Sequence, residues 1–154
     1  MFDSEQIWAI VLILMILGGV IVGLVLAVVT KSYRRPSLIP EDKWANYTKG
    51  VDLLTGGSRW SGFLVGALER LFFFAAFWSE AHLLIPGWMA VKVATKWQVW
   101  SNFLQGTHLP DWSGPQNTLA KRYTLWRVSQ RFLIGSLLNI LLADFAYLFA
   151  LEYW

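Results

Sequence analysis

Four ionisable side chains lie within apolar stretches of the sequence and are the candidates for chemistry: Glu69, Arg70, Lys92 and Asp144. Two acids and two bases balance each other, as expected of a buried structural ionic network. Ionisable residues inside membrane-spanning segments are also candidates for a proton or ion path. Such a path needs titratable groups that reach both surfaces, and no series of this kind continues from Asp144. The pattern therefore favours a structural network over transport.

Glu69 and Lys92 lie on two apolar arms of a predicted helical hairpin whose turn is at residues 79–82. Counted from Ala81, Glu69 lies twelve residues before and Lys92 eleven residues after, so equal rise per residue brings both to nearly the same depth. A charge at the centre of a spanning helix costs about 2.5–3.5 kcal/mol, which makes either arm unfavourable alone. We therefore predict a Glu69–Lys92 ion pair. If Arg70 faces the second arm instead, Asp144 would have to be the acid between the two bases.

The sequence offers little for catalysis or for cofactor binding. It has no cysteine and two histidines, His82 and His108, which fall in loops on opposite sides of the predicted membrane. We find no metal-ligand spacing, no nucleophile beside a base and no glycine-rich phosphate loop. We therefore expect no catalytic residue, no metal and no cofactor, and a protein that is not an enzyme.

Composition indicates an all-α membrane protein. Of the 154 residues, 56% are hydrophobic and 15% are charged, whereas a soluble domain carries about 25% charge. We predict one transmembrane helical domain over residues 1–154, with four transmembrane helices that include a central hairpin, and a short interfacial helix. The predicted spans are residues 7–29, 59–79, 83–104 and 127–151, and a polar loop is predicted over 105–126.

The basic residues are distributed unevenly between the two sides of the predicted bundle. Nine of the thirteen Lys and Arg residues fall in segments 31–59 and 121–127, and none falls at the N-terminus, in the 79–82 turn or in the last residues. This positive-inside pattern predicts both termini outside and both long loops in the cytoplasm. The expected partner is therefore the lipid bilayer, with no nucleic acid and no evident soluble substrate.

Residues 41–55 are predicted to form a helix on the cytoplasmic membrane surface. Trp44, Tyr47, Val51 and Leu54 share one helical face, which suits either lipid or a neighbouring subunit. The predicted anchors at this surface are basic or aromatic: Lys31, Arg34, Arg35, Trp44, Tyr47, Lys121, Arg122 and Arg127.

Small or polar residues recur at four-residue spacing on three predicted spans. Such stripes let helices approach closely, either at a docking face for another protein or in ordinary packing within the chain. They are Gly19, Gly23 and Ala27 on the first span, Gly62 and Gly66 on the second, and Gly135, Asn139 and Ala143 on the last.

Three short motifs carry a resemblance to a known group of proteins. They are Leu68-Glu69-Arg70, the run from Gly87-Trp88 through Lys92 to Lys96-Trp97, and residues 131–135. This pattern resembles small uncharacterised bacterial multi-pass membrane proteins over roughly residues 60–140. The resemblance implies a bacterial inner-membrane protein and carries no activity or site.

These observations favour a non-enzymatic protein that works by association, as an accessory or anchoring subunit of a membrane protein complex. Its partners would be other membrane protein subunits or further copies of itself. A small channel, ion-coupled transporter or membrane-permeabilising protein that uses the midplane charges is the alternative. A membrane enzyme acting on a lipid is the third hypothesis.

Overall fold

The computed structural model describes residues 3–31, 40, 41, 44, 59–105 and 115–153. These residues form four helices, which we label α1 (Ser4–Lys31), α2 (Arg59–Trp78), α3 (Leu84–Gln105) and α4 (Pro115–Tyr153). No strand occurs in the described ranges, so the predicted all-α fold is confirmed. Residues 106–114 and most of the predicted interfacial helix 41–55 lie outside them.

The start of α1 is set by reciprocal hydrogen bonds between Asp3 and Gln6. The Gln6 backbone N–H donates to Asp3 Oδ1 at 2.8 Å, and the Asp3 backbone N–H donates to Gln6 Oε1 at 3.3 Å. This is a capping box, in which two backbone donors at a helix start find side-chain partners. Proline occupies the first turn of α3 at Pro86 and the first position of α4 at Pro115, where its missing N–H removes no helical hydrogen bond.

The α2–α3 turn contains a left-handed residue, Glu80, with φ of 57°. The Ala81 N–H donates to the Ala76 carbonyl at 2.9 Å, and the Glu80 N–H donates to the Phe77 carbonyl at 3.1 Å. This pair of bonds is a Schellman motif, which satisfies the last carbonyls of α2 and reverses the chain. The predicted hairpin is therefore present.

The predicted polar loop over 105–126 was wrong over residues 115–126, which are helical. We expected a polar loop over 105–126, but α4 begins at Pro115 and runs for 39 residues. At 1.5 Å per residue it is about 58 Å long, far longer than the roughly 30 Å hydrocarbon core of a bilayer. Its polar first turns contain helix-forming residues, and a loop prediction based on polarity alone misses them.

The four helices run alternately in opposite directions. Trp8 of α1 lies 5.3 Å from Trp78 of α2, and Trp78 lies 6.4 Å from Tyr147 of α4, measured between ring centroids. The start of α1, the α2–α3 turn and the end of α4 therefore lie together, at what we call the turn end. The opposite end, where α4 begins, is the loop end.

The core lies between α1, α2 and α4, while α3 packs along one side against α2 and α4. Alanines on one face of α4 allow the neighbouring helices to approach closely. The buried core residues are Ile7, Val11 and Met15 of α1, Phe73 and Phe74 of α2, and Ala143, Ala146 and Ala150 of α4.

Two of the helices are long and apolar enough to cross a membrane. They are the stretch Ser4–Val29 within α1 and the stretch Lys121–Tyr153 within α4. Few side chains in either stretch are fully buried, and many of the exposed ones are large and apolar. The shorter helices α2 and α3 carry charges in their middle, which lowers their hydropathy.

Candidate functional site

Glu69 and Arg70 are adjacent on α2 and face different neighbours. Successive helical positions point about 100° apart, so one side chain turns toward α3 and the other toward α1. Glu69 forms an ion pair with Lys92 of α3, which confirms the predicted pair. Arg70 faces α1, so the alternative in which Arg70 meets Lys92 is wrong.

Lys92 joins Glu69 to α4. Its Nζ also donates a hydrogen bond of 2.7 Å to Ser136 Oγ and lies 4.9 Å from the centroid of the Phe132 ring. Only 19% of its side chain is exposed, against 3% for Glu69. The Trp88 Nε1–H adds a long hydrogen bond of 3.4 Å to Glu69 Oε1. The ammonium and carboxylate are therefore held between three helices.

Asn139 of α4 connects the two charged residues of α2. Its Nδ2 donates to Glu69 Oε2 at 3.0 Å, and its Oδ1 accepts a hydrogen bond of 2.8 Å from Arg70 Nη1. A side-chain amide suits this position because it has both donors and acceptors. Asn139 is 4% exposed, so its amide makes these hydrogen bonds in the interior of the bundle.

Arg70 is 1% exposed and reaches the backbone of α1. Its Nε donates to the Met15 carbonyl at 2.9 Å. A Cβ added at Gly19 would stand 2.7 Å from Arg70 Nη2, so the glycine makes room for the guanidinium. Within the described chain, Nη2 itself has no hydrogen-bond partner.

These contacts form one connected set, which we call the polar network: Met15 (carbonyl), Glu69, Arg70, Trp88, Lys92, Ser136 and Asn139. It draws on all four helices. Two cations and one anion give it a net charge of +1, because the fourth predicted member is not part of it.

Asp144 was wrongly predicted to belong to this network. It lies five residues beyond Asn139 on α4, about 7.5 Å further along the axis toward the turn end. Asp144 is half-buried, and it makes no hydrogen bond or ion pair with any described residue. Asn139 and Asp144 lie on different faces of α4, so Asn139 points into the bundle while Asp144 points to another side.

Sequence reasoning missed Ser136 and Trp88. It placed Asn139 on a packing stripe that faces the bundle, but it did not predict the hydrogen bonds of Asn139 to Glu69 and Arg70. One signal was available. Ser136, Asn139, Ala143, Ala146 and Ala150 follow three- and four-residue spacing, which puts them on one small and polar face of α4. The contribution of the Met15 carbonyl has no sequence signal, because it depends on backbone exposed beside a glycine.

The predicted packing stripes are only partly used inside the described chain. Gly19 and Gly66 lie against Arg70, and Asn139 and Ala143 are buried. A Cβ added at Gly135 would make an ordinary 3.5 Å contact with Leu26. In contrast, nothing described lies within 4 Å of the Cβ positions at Gly23 and Gly62, and Ala27 is exposed.

The predicted surface anchors lie toward the loop end where they are described. Lys31 ends α1, while Lys121, Arg122 and Arg127 lie in the first half of α4. The Trp44 ring contacts Tyr123 at 5.6 Å, and the Trp44 N–H donates to the Pro40 carbonyl at 3.0 Å. Arg34, Arg35 and Tyr47 lie outside the described residues.

The polar network binds charge and fixes helix positions, and it also places the Ser136 hydroxyl beside the Lys92 ammonium. Among described residues, no group of three or more His, Cys, Asp or Glu side chains could hold a metal ion. Fold and site together define an all-helical bundle with two apolar helices long enough to cross a membrane. Comparison of the chain with protein-family models, curated proteins and solved structures finds no match.

Proposed function

We propose that this chain is a non-enzymatic multi-pass protein of a bacterial inner membrane that works by association, as an accessory or anchoring subunit of a membrane protein complex. The observation that carries the proposal is that every charge of the polar network has a partner from another helix. Charges used in this way hold the bundle together and leave its outer surface for contacts with lipid and other proteins.

The exposed apolar surface supports membrane insertion. Large hydrophobic residues cover the outside of α1 and α4, and a soluble protein rarely exposes such a continuous apolar area. The most exposed examples on α1 are Leu12, Ile13, Leu24 and Val28, and on α4 they are Leu137, Leu141, Phe145 and Leu148.

If α1 and α4 cross the bilayer, α2 and α3 also lie within it, which gives four spans. The polar network ties Glu69 of α2 and Lys92 of α3 to Asn139 and Ser136 near the middle of α4. Helices fixed to α4 at that level lie beside it in the membrane. Their charges are tolerated because they are paired with one another inside the bundle.

Transport through the midplane charges is less well supported. Conduction needs groups that exchange protons or ions with both surfaces, yet Glu69 and Arg70 are almost fully buried and bound to neighbouring helices. Asp144, the next acid toward the turn end, is separate from them. The third hypothesis, a lipid-acting enzyme, is less well supported, because the Lys92 ammonium beside the Ser136 hydroxyl is paired with Glu69 and is not a free base.

One pair of measurements separates association from transport. The full chain is expressed from an inducible promoter while a potential-sensitive dye reports the membrane potential, and its mass is measured after extraction in mild detergent. We expect an unchanged potential and a species larger than one copy. A collapse of potential that disappears in the Glu69→Gln variant would instead support the transport hypothesis.

A further inference from the structure

Asp144 of α4 remains without a partner in the described chain, and the leucines around it are exposed. Asp144 shares a helical face with Leu137, Leu141, Leu148 and Leu151, because these lie three, four or seven residues away. All four leucines are more than half exposed. We call these five residues the Asp144 stripe.

The Asp144 side chain is too short to extend from apolar surroundings to the membrane surface, as a lysine side chain can. Lys96 of α3 is exposed, but its long side chain can extend toward the membrane surface. The carboxylate of Asp144 is on a short side chain, nine residues and about 13 Å before the end of α4. A hydrogen-bond donor supplied by another molecule would offset this unfavourable position.

The chain itself carries a suitable donor at the turn end. His82 is exposed in the α2–α3 turn, and its ring lies 6.0 Å from Phe77. The same Phe77 ring stacks with Tyr147 at 5.8 Å. Tyr147 lies three residues, about 4.5 Å, beyond Asp144, so these ring contacts place His82 at the turn end on the same side of the bundle as Tyr147. His82 and Asp144 form no bond with each other.

We infer that the Asp144 stripe is the interface with a second copy of this chain, in which His82 of each copy donates a hydrogen bond to Asp144 of the other. This inference rests on the proposed function and names the associating surface. A two-fold axis along the membrane normal brings equal depths together and makes every contact twice. The leucines of the stripe then pack around two reciprocal polar pairs.

A second copy fits better than a contact with lipid alone. Acyl chains suit the four leucines but leave the carboxylate without a donor. An imidazole has at least one N–H in either protonation state, so His82 can donate to a carboxylate. The complementary groups are therefore both present on the chain, toward the same end and on the same side of the bundle.

Disulfide trapping tests the interface directly, because the chain has no native cysteine. Single cysteines replace Leu137, Leu141, Leu148 or Leu151, and the full chain is oxidised in native membranes. Val20 of α1 is the matched control. It is exposed like Leu141 and lies at a similar depth, because Gly18 faces Leu142 and Leu26 faces Gly135. We expect covalent dimers from at least one stripe position and none from Val20.

The polar pair is tested by substitution and exchange, with the dimer dissociation constant measured in detergent. Asp144→Leu and His82→Leu should each weaken dimerisation at least about tenfold, since each removes two hydrogen bonds per interface. The exchange of both residues, Asp144→His with His82→Asp, should restore much of the affinity. Glu5→Gln removes an exposed acid on α1 and should change nothing. Thermal unfolding in detergent shows that each variant is folded.

Each outcome bears on the inference in a defined way. A wild-type chain that stays monomeric, equal trapping at Val20, or dimerisation unaffected by Asp144→Leu overturns it. If the chain forms complexes only with a different protein, this inference fails while association stands. If it associates with nothing at all, the proposed function fails as well.

Discussion

The guanidinium of Arg70 lies directly against Gly19 of α1, and a methyl group at that glycine would stand 2.7 Å from Arg70 Nη2. This close approach lets Arg70 Nε reach the Met15 carbonyl at 2.9 Å. The same methyl group would also stand 2.8 Å from the Phe63 ring. Gly19 therefore provides the space in which the Arg70 guanidinium packs against α1 and reaches the Met15 carbonyl.

Replacing Gly19 by alanine should destabilise the bundle. The new methyl group must displace both Phe63 and the guanidinium, and overpacking of this kind typically costs about 1–3 kcal/mol. Gly23→Ala is the matched control, one turn away with nothing described within 4 Å of its Cβ position. It should stabilise α1 by roughly 0.5–1 kcal/mol, as alanine does in helix interiors. Thermal unfolding in detergent compares the two, and equal effects would contradict the proposed role of Gly19.

Loss of Glu69 should be more harmful than loss of Lys92. Glu69 is the single anion between two cations, and it balances Arg70 through Asn139 as well as pairing with Lys92. Removing one partner of a buried ion pair typically destabilises the folded protein by about 3–5 kcal/mol, because the other charge stays buried without a partner. We expect Glu69→Gln to reduce the amount of folded protein strongly and Lys92→Met to reduce it less.

Combining Glu69→Gln with Lys92→Met should recover part of the folded protein lost by Glu69→Gln alone. Neutral residues in both positions remove the unpaired ammonium, although Arg70 then keeps its charge without the acid. Accumulation of a tagged full-length chain in membranes gives the readout. Single variants that accumulate like the wild type would show that the pair does not hold the hairpin in the bundle.

The relative depth of Glu69 and Lys92 was predicted from the sequence, whereas the rotation of α4 was not, although the small and polar face of α4 indicates it. Glu69 and Lys92 meet because both arms rise equally from one turn, so counting residues was enough. The choice between Asn139 and Asp144 depends on how α4 rotates, and its buried face is set by Ala143, Ala146 and Ala150. The contact of Arg70 with the Met15 carbonyl needs the relative position of two helices, which no residue pattern provides.

The left-handed Glu80 in the α2–α3 turn gives a prediction about stability. An L-residue in this region costs roughly 1–2 kcal/mol, whereas glycine adopts it freely. Glu80→Gly should therefore raise the free energy of unfolding by about 1 kcal/mol, with a higher melting temperature in detergent. Glu80→Ala is the control, because it removes the charge and keeps the backbone strain. A larger gain from alanine than from glycine would contradict this explanation.

For the membrane insertion that we propose, the charge at the two ends of the bundle predicts which end faces outward. The turn end carries exposed acids and no described lysine or arginine, while the basic residues of α4 lie toward the loop end. The acids are Asp3, Glu5, Glu80 and Glu152, and the basic residues are Lys121, Arg122, Arg127 and Arg131. Because basic segments stay in the cytoplasm, the turn end should face outward.

Cysteine labelling in intact cells measures this orientation without interference, since the native chain has no cysteine. Cysteines replace Ser4 at the turn end, Lys49 in the first basic loop, and Gln116 at the start of α4. An impermeant thiol reagent should modify only the Ser4 variant, and all three should react once the membrane is permeabilised. Labelling at Lys49 in intact cells, with protection at Ser4, would reverse the orientation. Labelling at both Ser4 and Gln116 in intact cells would put these two positions on the same side of the membrane. That would contradict four spans, because the three spans α1, α2 and α3 between them require opposite sides.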